Sequence, residues 1–267
     1  MEQDIPRIDA NDLIERYEVL LLDAYGVLVD SSGARPGARH LIDHLNNTGK
    51  AYYIVTNDSS RLPTTASERY RSFGLCIDAE RIVVSGSLLG NHFLDNSLNG
   101  ANCVVLGTED STQYVVHAGG RIVSLADPFD VLAIGAVPND FSIRAVEQIM
   151  NTLFRRFDSG SDVHLILMNP DLLYPSGPDR FRLAAGSLAL VLEAALALRY
   201  LGRPEARFVR LGKPHSAMFE EVRRRSGTMS MVMIGDQVET DVRGANDFGI
   251  DSVLLGTGIV GATDSLP

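Results

Sequence analysis

The sequence predicts an α/β fold built around a mainly parallel sheet. Short apolar runs alternate with segments of helical periodicity along nearly the whole chain, and this alternation is typical of βαβ units with parallel strands. No internal repeat and no low-complexity tract interrupts the alternation. At 267 residues the chain is longer than most single domains, so one large domain or two moderate ones are expected.

Three strands and three helices are predicted in the first part of the chain. The strands fall at 18–23, 51–56 and 81–85, and the helices at 37–48, 63–73 and 88–93. In the first of these helices Ala38, Leu41, Ile42 and Leu45 share one face, which is the spacing of an amphipathic helix. In the last part, strands are predicted at 207–210, 231–234 and 252–255, with helices up to residue 225 and at 240–248.

A second α/β unit is predicted between these two parts, where the alternation restarts near residue 101. Its strands fall at 103–106, 131–134 and 164–168, and its helices at 110–117, 142–157 and 184–200, with a long loop at 169–179. Turn residues stand at both ends, in Asn99-Gly100 and Gly202-Arg203-Pro204. We therefore divide the chain into a core (residues 1–98 and 205–267) and an inserted domain at 99–204, called the cap below.

Composition excludes several classes of protein. The formal net charge is −10 and no basic stripe occurs, so nucleic acid is not an expected partner. No apolar run approaches the roughly 20 residues of a membrane span, and the acidic start Met1–Ile5 does not resemble a signal peptide. Cys76 and Cys103 are too few for a disulfide framework or a thiolate metal site. We therefore expect a soluble, cytoplasmic protein.

Polar side chains stand at the ends of four predicted core strands. These residues are Asp23; Thr56 with Asn57; Lys213; and Asp236 with Asp241. Because ligands bind at the carboxyl ends of the strands in open parallel sheets, we expect the four segments to share one site. They supply a carboxylate nucleophile, a hydroxyl and an ammonium for anionic oxygens, and carboxylates suited to Mg²⁺. This set of groups is typical of phosphoryl transfer.

In order and type the segments resemble the four motifs of the haloacid dehalogenase (HAD) superfamily, which has a Rossmannoid core. Asp23 stands in the first motif, Thr56 in the second, Lys213 in the third, and Gly235-Asp236 with Thr240-Asp241 in the fourth. The α/β insertion between the second and third motifs resembles the type 2 cap of subfamily IIA. That branch contains phosphatases of sugar phosphates, nitrophenyl phosphate and pyridoxal phosphate. The resemblance covers essentially the whole chain.

The resemblance implies a magnesium-dependent phosphatase of a small phosphorylated metabolite such as a sugar phosphate. Asp23 would attack phosphorus and form an aspartyl phosphate. Thr56 and the amide of Asn57 would hold the phosphoryl oxygens. Lys213 would neutralise these oxygens and keep Asp23 ionised.

The metal ligands implied by the resemblance are Asp23, Asp236 and the backbone carbonyl of Tyr25. Asp241 would bind the metal through water or would support the other ligands. Homodimers formed through the cap are common in this branch, and the apolar helix at 184–200 suits either a core or a dimer interface.

Four further residues are weaker candidates. Asn169 and Asp171 lie in a segment that resembles the cap loop of the branch, so they are candidates to contact the substrate, or they simply shape a turn. Asp58, next to the second motif, is a candidate to contact the phosphoryl group. Asp58 and His215 are also candidates for a substitute acid or base, although a loop carboxylate and a helix-capping histidine are the ordinary alternatives.

Tyr25 departs from the family pattern. The phosphatases read Asp-x-Asp in the first motif, where the second aspartate protonates the leaving oxygen and then activates water, a contribution worth roughly a hundred- to ten-thousandfold in rate. The phenol of a tyrosine ordinarily ionises near pH 10 and does not easily perform both steps. The sequence therefore predicts attenuated turnover and a preference for good leaving groups, such as aryl or acyl phosphates.

Two alternative functions follow from Tyr25. One is a weakly active or non-catalytic regulatory protein that binds phosphate. The other is a hydrolytic 2-haloacid dehalogenase, an enzyme that needs no metal and whose first motif also reads Asp-x-Tyr-Gly. Those enzymes carry a helical cap soon after the first motif, whereas the insertion here is α/β and follows the second. The phosphatase interpretation is therefore favoured.

Overall fold

Two five-stranded parallel sheets organise the chain, which the computed structural model describes over residues 7–137, 142–177 and 180–256. The strands are β1 (Val19–Leu22), β2 (Val29–Asp30), β3 (Gly33–Ala34), β4 (Ala51–Thr56), β5 (Ile82–Val84), β6 (Asn102–Leu106), β7 (Arg121–Ile122), β8 (Val131–Ile134), β9 (His164–Leu167), β10 (Leu173–Gly177), β11 (Arg180–Leu183), β12 (Val209–Arg210), β13 (Met231–Gly235) and β14 (Asp251–Leu254).

The helices alternate with these strands, as the sequence predicts. They are α1 (Ala10–Arg16), α2 (Ala38–Thr48), α3 (Pro63–Ser72), α4 (Leu89–Asp95), α5 (Glu109–His117), α6 (Ile143–Asp158), α7 (Ala185–Arg199), α8 (Ala217–Ser226) and α9 (Arg243–Phe248). A π-helical turn, Val238–Val242, leads directly into α9, and 3-10 turns occupy Ala79–Arg81, Ser85–Leu88 and Pro204–Ala206. None of the helices in the described ranges is long and apolar enough to cross a membrane.

The core sheet has the order β14-β13-β1-β4-β5, with all strands parallel. Every residue of β1 is buried, because a central strand of a parallel sheet is covered on both faces, and this is why it reads as a continuous apolar run. The order places β1 between β13 and β4. The residues that follow these three strands therefore meet at one edge of the sheet.

The cap sheet has the order β12-β9-β8-β6-β7, again parallel. It has its own apolar cluster, in which Phe129, Leu153 and Leu192 are fully buried. Its edge strand β12 pairs Val209 with Ile166 and therefore lies beyond residue 204, where the predicted cap ends. The division of the chain into core and cap segments otherwise stays a prediction.

Antiparallel hairpins form where no strands are predicted. A small one joins β2 to β3 shortly after Asp23, and β10 pairs with β11 in what is called the cap hairpin below. The prediction of a long loop at 169–179 is therefore wrong for the part that forms β10, while Pro178 and Asp179 lie outside the described residues. Neither face of the cap hairpin is buried. The sequence of β10, which contains Pro175, carries no alternation of apolar and polar residues, whereas β11 alternates Arg, Phe, Arg and Leu over 180–183, a short strand signal that the prediction missed.

Candidate active site

A buried lysine lies between two carboxylates at the edge of the core sheet. The Lys213 ammonium donates to Oδ1 of Asp23 over 2.7 Å and to Oδ1 of Asp241 over 2.6 Å. Lys213 is only 2% exposed, so these bonds replace water around its charge. Asp23 follows β1 directly, and its N–H donates to the carbonyl of Ile234 in β13. The nucleophile candidate is therefore fixed by the central strands of the sheet.

Asp241 is positioned by the π-helical turn. Its Oδ2 accepts the N–H groups of Asp236 (3.2 Å) and Gln237 (3.1 Å), while its Oδ1 accepts from Lys213. Gly235 allows this approach, because a Cβ at that position would lie 2.2 Å from the Cβ of Asp241. Both oxygens of Asp241 are thus engaged by the protein, which suits a supporting role beside a metal better than direct ligation.

Asp236 has a buried oxygen that forms no hydrogen bond with the described residues. The residue is 7% exposed, and its Oδ1 makes no hydrogen bond to any described part of the chain. Its Oδ2 faces Gly26, whose φ of +92° favours glycine and where a Cβ would lie only 1.9 Å from that oxygen. Asp23, Asp236 and Asp241 each offer a ligand atom within 4.8 Å of the others. We call these three residues the carboxylate cluster.

The charges of the cluster are not balanced. Burial raises the pKa of Asp23. The carboxylates of Asp241 and Asp236 raise it further, while Lys213 lowers it. Burial, with Asp241, also raises the pKa of Asp236 to about 6. Burial alone would lower the pKa of Lys213, but Asp23 and Asp241 outweigh burial and hold it above its usual range. Three carboxylates and one ammonium carry a formal charge of −2. This charge, together with the buried Oδ1 of Asp236, suits a divalent cation.

Asn57 links three segments of the site. Its side-chain oxygen accepts the Lys213 N–H over 2.7 Å, and its NH₂ donates to the Lys213 carbonyl (3.0 Å) and to Oδ1 of Asp171 (2.8 Å). Gly212 lies against it, since a Cβ there would be 2.5 Å from Oδ1 of Asn57. The side chain of Asn57 therefore fixes the Lys213 loop and joins the core to the cap.

A cavity of about 1010 Å³ opens above Asp23, between the core and the cap. Asp23, Tyr25, Thr56 and Lys213 line it from the core. From the cap it is lined by Asn169, Asp171, Tyr174, Arg180, Phe181 and Arg182. The volume is at the upper end of that of small-molecule sites, so the cavity holds more than a phosphoryl group.

Comparison with known proteins identifies the family. A family model for haloacid dehalogenase-like hydrolases matches residues 20–121, and one for HAD-like hydrolases matches 210–266. The structure superposes with a TM-score of 0.83 on a possible sugar phosphatase of the HAD superfamily from Cytophaga hutchinsonii, at 30% identity over 97% of this chain and 91% of the other. The chain belongs to the haloacid dehalogenase superfamily.

Other relatives in the HAD superfamily are also named phosphatases. The dihydroxyacetone phosphatase of Corynebacterium glutamicum is 29% identical, over 90% of this chain and 81% of the relative. A glycerol phosphate phosphatase from Mycobacterium tuberculosis, solved with magnesium, shares the fold with a TM-score of 0.77 at 23% identity, over 94% of this chain and 71% of that one. The predictions of a HAD fold of subfamily IIA and of a hydrolase of the phosphatase type are confirmed.

Most of the residues predicted for a HAD active site line this one cavity. Thr56, 5% exposed, ends β4, and its hydroxyl oxygen accepts the N–H of Asp58. The carboxylate of Asp58 also lines the cavity, but it is engaged by the N–H of Ser60 (3.1 Å) and by Arg61 (2.9 Å). His215, by contrast, is exposed and does not line the cavity.

The two cap candidates form a turn against the core. The side-chain oxygen of Asn169 accepts the N–H of Asp171 over 2.9 Å, as in an Asx turn. Burial raises the pKa of Asp171 to about 6, against the opposing effects of its bond to Asn57 and of Lys213. Both residues line the cavity. The contact of Asn169 and Asp171 with substrate stays a prediction.

Tyr25 makes a contact that the sequence does not predict. Its phenol donates to the carbonyl of Pro175 in the cap hairpin over 2.9 Å, across 150 positions of the chain. No local pattern signals this bond or the bond of Asn57 to Asp171, because the partners belong to different domains. The close approach of Gly26 to Asp236 is likewise visible only in the folded chain.

Proposed function

We propose that the chain hydrolyses phosphate monoesters of small sugar-like metabolites with Mg²⁺ as its cofactor. The observation that carries the proposal is the buried Lys213 held between Asp23 and Asp241 at the base of a cavity. An ammonium beside a carboxylate nucleophile suits the transfer of an anionic phosphoryl group. Relatives named dihydroxyacetone phosphatase and possible sugar phosphatase support a small polyol or sugar phosphate as the substrate class.

In the proposed reaction Asp23 attacks the phosphorus atom. A carboxylate oxygen bonds to phosphorus as the ester P–O bond breaks, and the leaving oxygen takes a proton from solvent. Water then attacks the aspartyl phosphate, which releases inorganic phosphate and restores Asp23. Lys213 and the Thr56 hydroxyl hold the phosphoryl oxygens during both steps.

The carboxylate cluster, with the backbone carbonyl of Tyr25, would hold the Mg²⁺. Asp23 and Asp236 would serve as ligands and Asp241 as support, because both Asp241 oxygens already accept bonds from the protein. When bound, the cation supplies charge neutralisation for the phosphoryl oxygens. The glycerol phosphate phosphatase of similar fold has been solved with magnesium and with calcium, which supports a divalent cation.

Tyr25 sets the expected substrate preference. Its phenol is bonded to Pro175, so it is not directed at a leaving oxygen. Leaving groups that need no proton, such as nitrophenolate, should therefore react faster than alkoxides. Equal steady-state rates for nitrophenyl phosphate and an alkyl phosphate would contradict this expectation.

One set of assays separates the three candidate functions. Nitrophenyl phosphate and 2-chloropropionate are each tested with Mg²⁺ and with chelator, using Asp23→Asn as the inactive control. Phosphate release that requires the metal supports the phosphatase. Halide release that is indifferent to chelator would replace it with the dehalogenase. Tight binding of Mg²⁺ and phosphate without turnover would indicate a regulatory binding protein.

We further propose a cytoplasmic enzyme that forms homodimers through the cap and binds no nucleic acid. Cys76 and Cys103 are both free thiols, which suits a reducing compartment. Helix α7 leaves Leu190, Val191 and Leu198 exposed, which is typical of a surface that another subunit covers. The net charge of −10 disfavours a polyanionic partner. Light scattering of the purified protein tests the dimer.

A further inference from the structure

The backbone around Tyr25 is held rigidly beside the nucleophile. The carbonyl of Ala24 accepts the N–H groups of Leu28 and Val29, each over 2.9 Å, and the Gly26 N–H donates to the Val29 carbonyl over 2.8 Å. Tyr25 is therefore part of a tight turn that starts one residue after Asp23. The backbone of Tyr25 is therefore fixed relative to the nucleophile.

The described residues of the cap hairpin, by contrast, bury little of their surface. At its base the carbonyl of Leu172 accepts the Ala184 N–H (2.8 Å) and the Ser187 hydroxyl (2.6 Å). Beyond that base its side chains are largely exposed, with Phe181 at 50% and Leu183 at 64%. An element with little buried apolar surface opens at low free energy, so a single additional bond changes its position strongly.

The bond from Tyr25 reaches the cap hairpin beyond this base, at Pro175. Pro175 pairs with Phe181, and the register of the hairpin shifts immediately after it. Phe181 and its neighbours on β11, Arg180 and Arg182, line the cavity above Asp23. The phenol thus contacts the strand that is paired with these cavity-lining side chains.

We propose that Tyr25 is a positioning residue that holds the cap hairpin over Asp23 and thereby sets the affinity for the alcohol part of the substrate. The position that carries an acid and base in related phosphatases here joins the core to the cap. The inference rests on the proposed phosphatase function. Its effect falls on binding of the ester more than on the bond-breaking step, since the phosphoryl group itself contacts core residues.

The test compares Tyr25→Phe with wild type in two independent measurements. In the kinetic measurement, KM for nitrophenyl phosphate should rise about fivefold, as expected for one neutral hydrogen bond, with kcat changed less than about twofold. The inhibition constant of inorganic phosphate should not change. In the second measurement, trypsin should cleave after Arg180 and Arg182 faster in the variant, as mapped by mass spectrometry.

Tyr52→Phe is the matched control. Its phenol donates to Asn46 over 3.0 Å within the core, so its loss removes a bond of the same kind without touching the cap hairpin. Both readouts should stay at their wild-type values. A hundredfold loss of kcat in Tyr25→Phe at constant KM would assign Tyr25 to proton transfer and overturn the proposal. Unchanged KM and unchanged cleavage would overturn it as well.

The two measurements also separate this inference from the proposed function. If wild type hydrolyses no phosphate ester, the proposed function fails, but the cleavage rates still report whether Tyr25 holds the hairpin. If wild type is active and neither readout responds to Tyr25→Phe, the phosphatase stands and the positioning role fails.

Discussion

Replacing Lys213 by methionine should destabilise the metal-free protein strongly. The ammonium lies 2.7 Å from Asp23 and 2.6 Å from Asp241 and is only 2% exposed. At an effective dielectric constant of about 20, a pair of unit charges about 4 Å apart attracts by about 4 kcal/mol, and desolvation offsets part of this. Breaking a buried ion pair by removing one partner typically costs about 3–5 kcal/mol. We expect a loss of that size at pH 8.

The size of this loss should depend on Mg²⁺. Without Lys213 the carboxylate cluster has a formal charge of −3, and a divalent cation that binds only the native state stabilises it. Added Mg²⁺ should therefore raise the free energy of unfolding of Lys213→Met at least as much as that of wild type. Turnover should still fall by about a hundredfold or more, because the phosphoryl oxygens lose their ammonium.

Urea denaturation with and without Mg²⁺ measures these free energies. The chain offers a close control, because Lys50 is its only other lysine and donates to a neutral backbone carbonyl, that of Tyr17. Lys50→Met should cost about 1 kcal/mol. If Lys213→Met cost no more than Lys50→Met at pH 8, Lys213 would not compensate buried charge as described.

Three more predictions follow from the same site. Gly26→Ala should weaken Mg²⁺ binding by about tenfold in calorimetry, because the new Cβ would lie 1.9 Å from Oδ2 of Asp236. The control is Gly49→Ala, which should cost only backbone strain, since Gly49 has a φ of +69° and open space around it. Asp236→Asn should raise the melting temperature of the metal-free protein by relieving repulsion in the carboxylate cluster, yet abolish its stabilisation by Mg²⁺. Asp171→Asn should stabilise the protein above pH 6 by about 1–3 kcal/mol in urea denaturation. The pKa of Asp171 is about 6 in the native state, above the ordinary value of 3.8, so the wild-type protein loses stability as pH rises through this interval.

Each of these three predictions has a result that would contradict it. Equal Mg²⁺ affinities for Gly26→Ala and Gly49→Ala would mean that Gly26 does not set the place of Asp236. A metal response retained in Asp236→Asn would remove that residue from the metal site. For Asp171→Asn, which still accepts the bond from Asn57, a gain that persists unchanged at pH 4 would show that its titration is not the cause.

The strands that are clearest in the sequence are those buried on both faces. β1 and β13 read as continuous apolar runs because helices cover them, and the polar residues after them meet because parallel strands end at one edge. In the cap hairpin, which is not buried on either face, β10 carries no strand pattern and only the four alternating residues of β11 indicate a strand. Strand β12 reads as part of the core, and only its pairing with β9 assigns it to the cap sheet.

The same distinction holds for the site. Asp23, Thr56, Lys213 and Asp236 are predictable because each follows a recognisable strand or turn. The bridging side chain of Asn57 is not, since its partner Asp171 lies 114 positions away in another domain. Contacts of this kind depend on how the cap docks on the core, and local sequence patterns carry no information about docking.

The placement of β12 couples the cap mechanically to the nucleophile. Arg210 pairs with Leu167 in the cap sheet, and Lys213 follows three residues later, a length of chain that spans at most about 11 Å. A cap movement that would carry Arg210 farther than this from Lys213 must either separate β12 from β9 or pull the ammonium away from Asp23. A cap movement of that size that kept β12 paired with β9 would therefore also remove the positive charge beside Asp23.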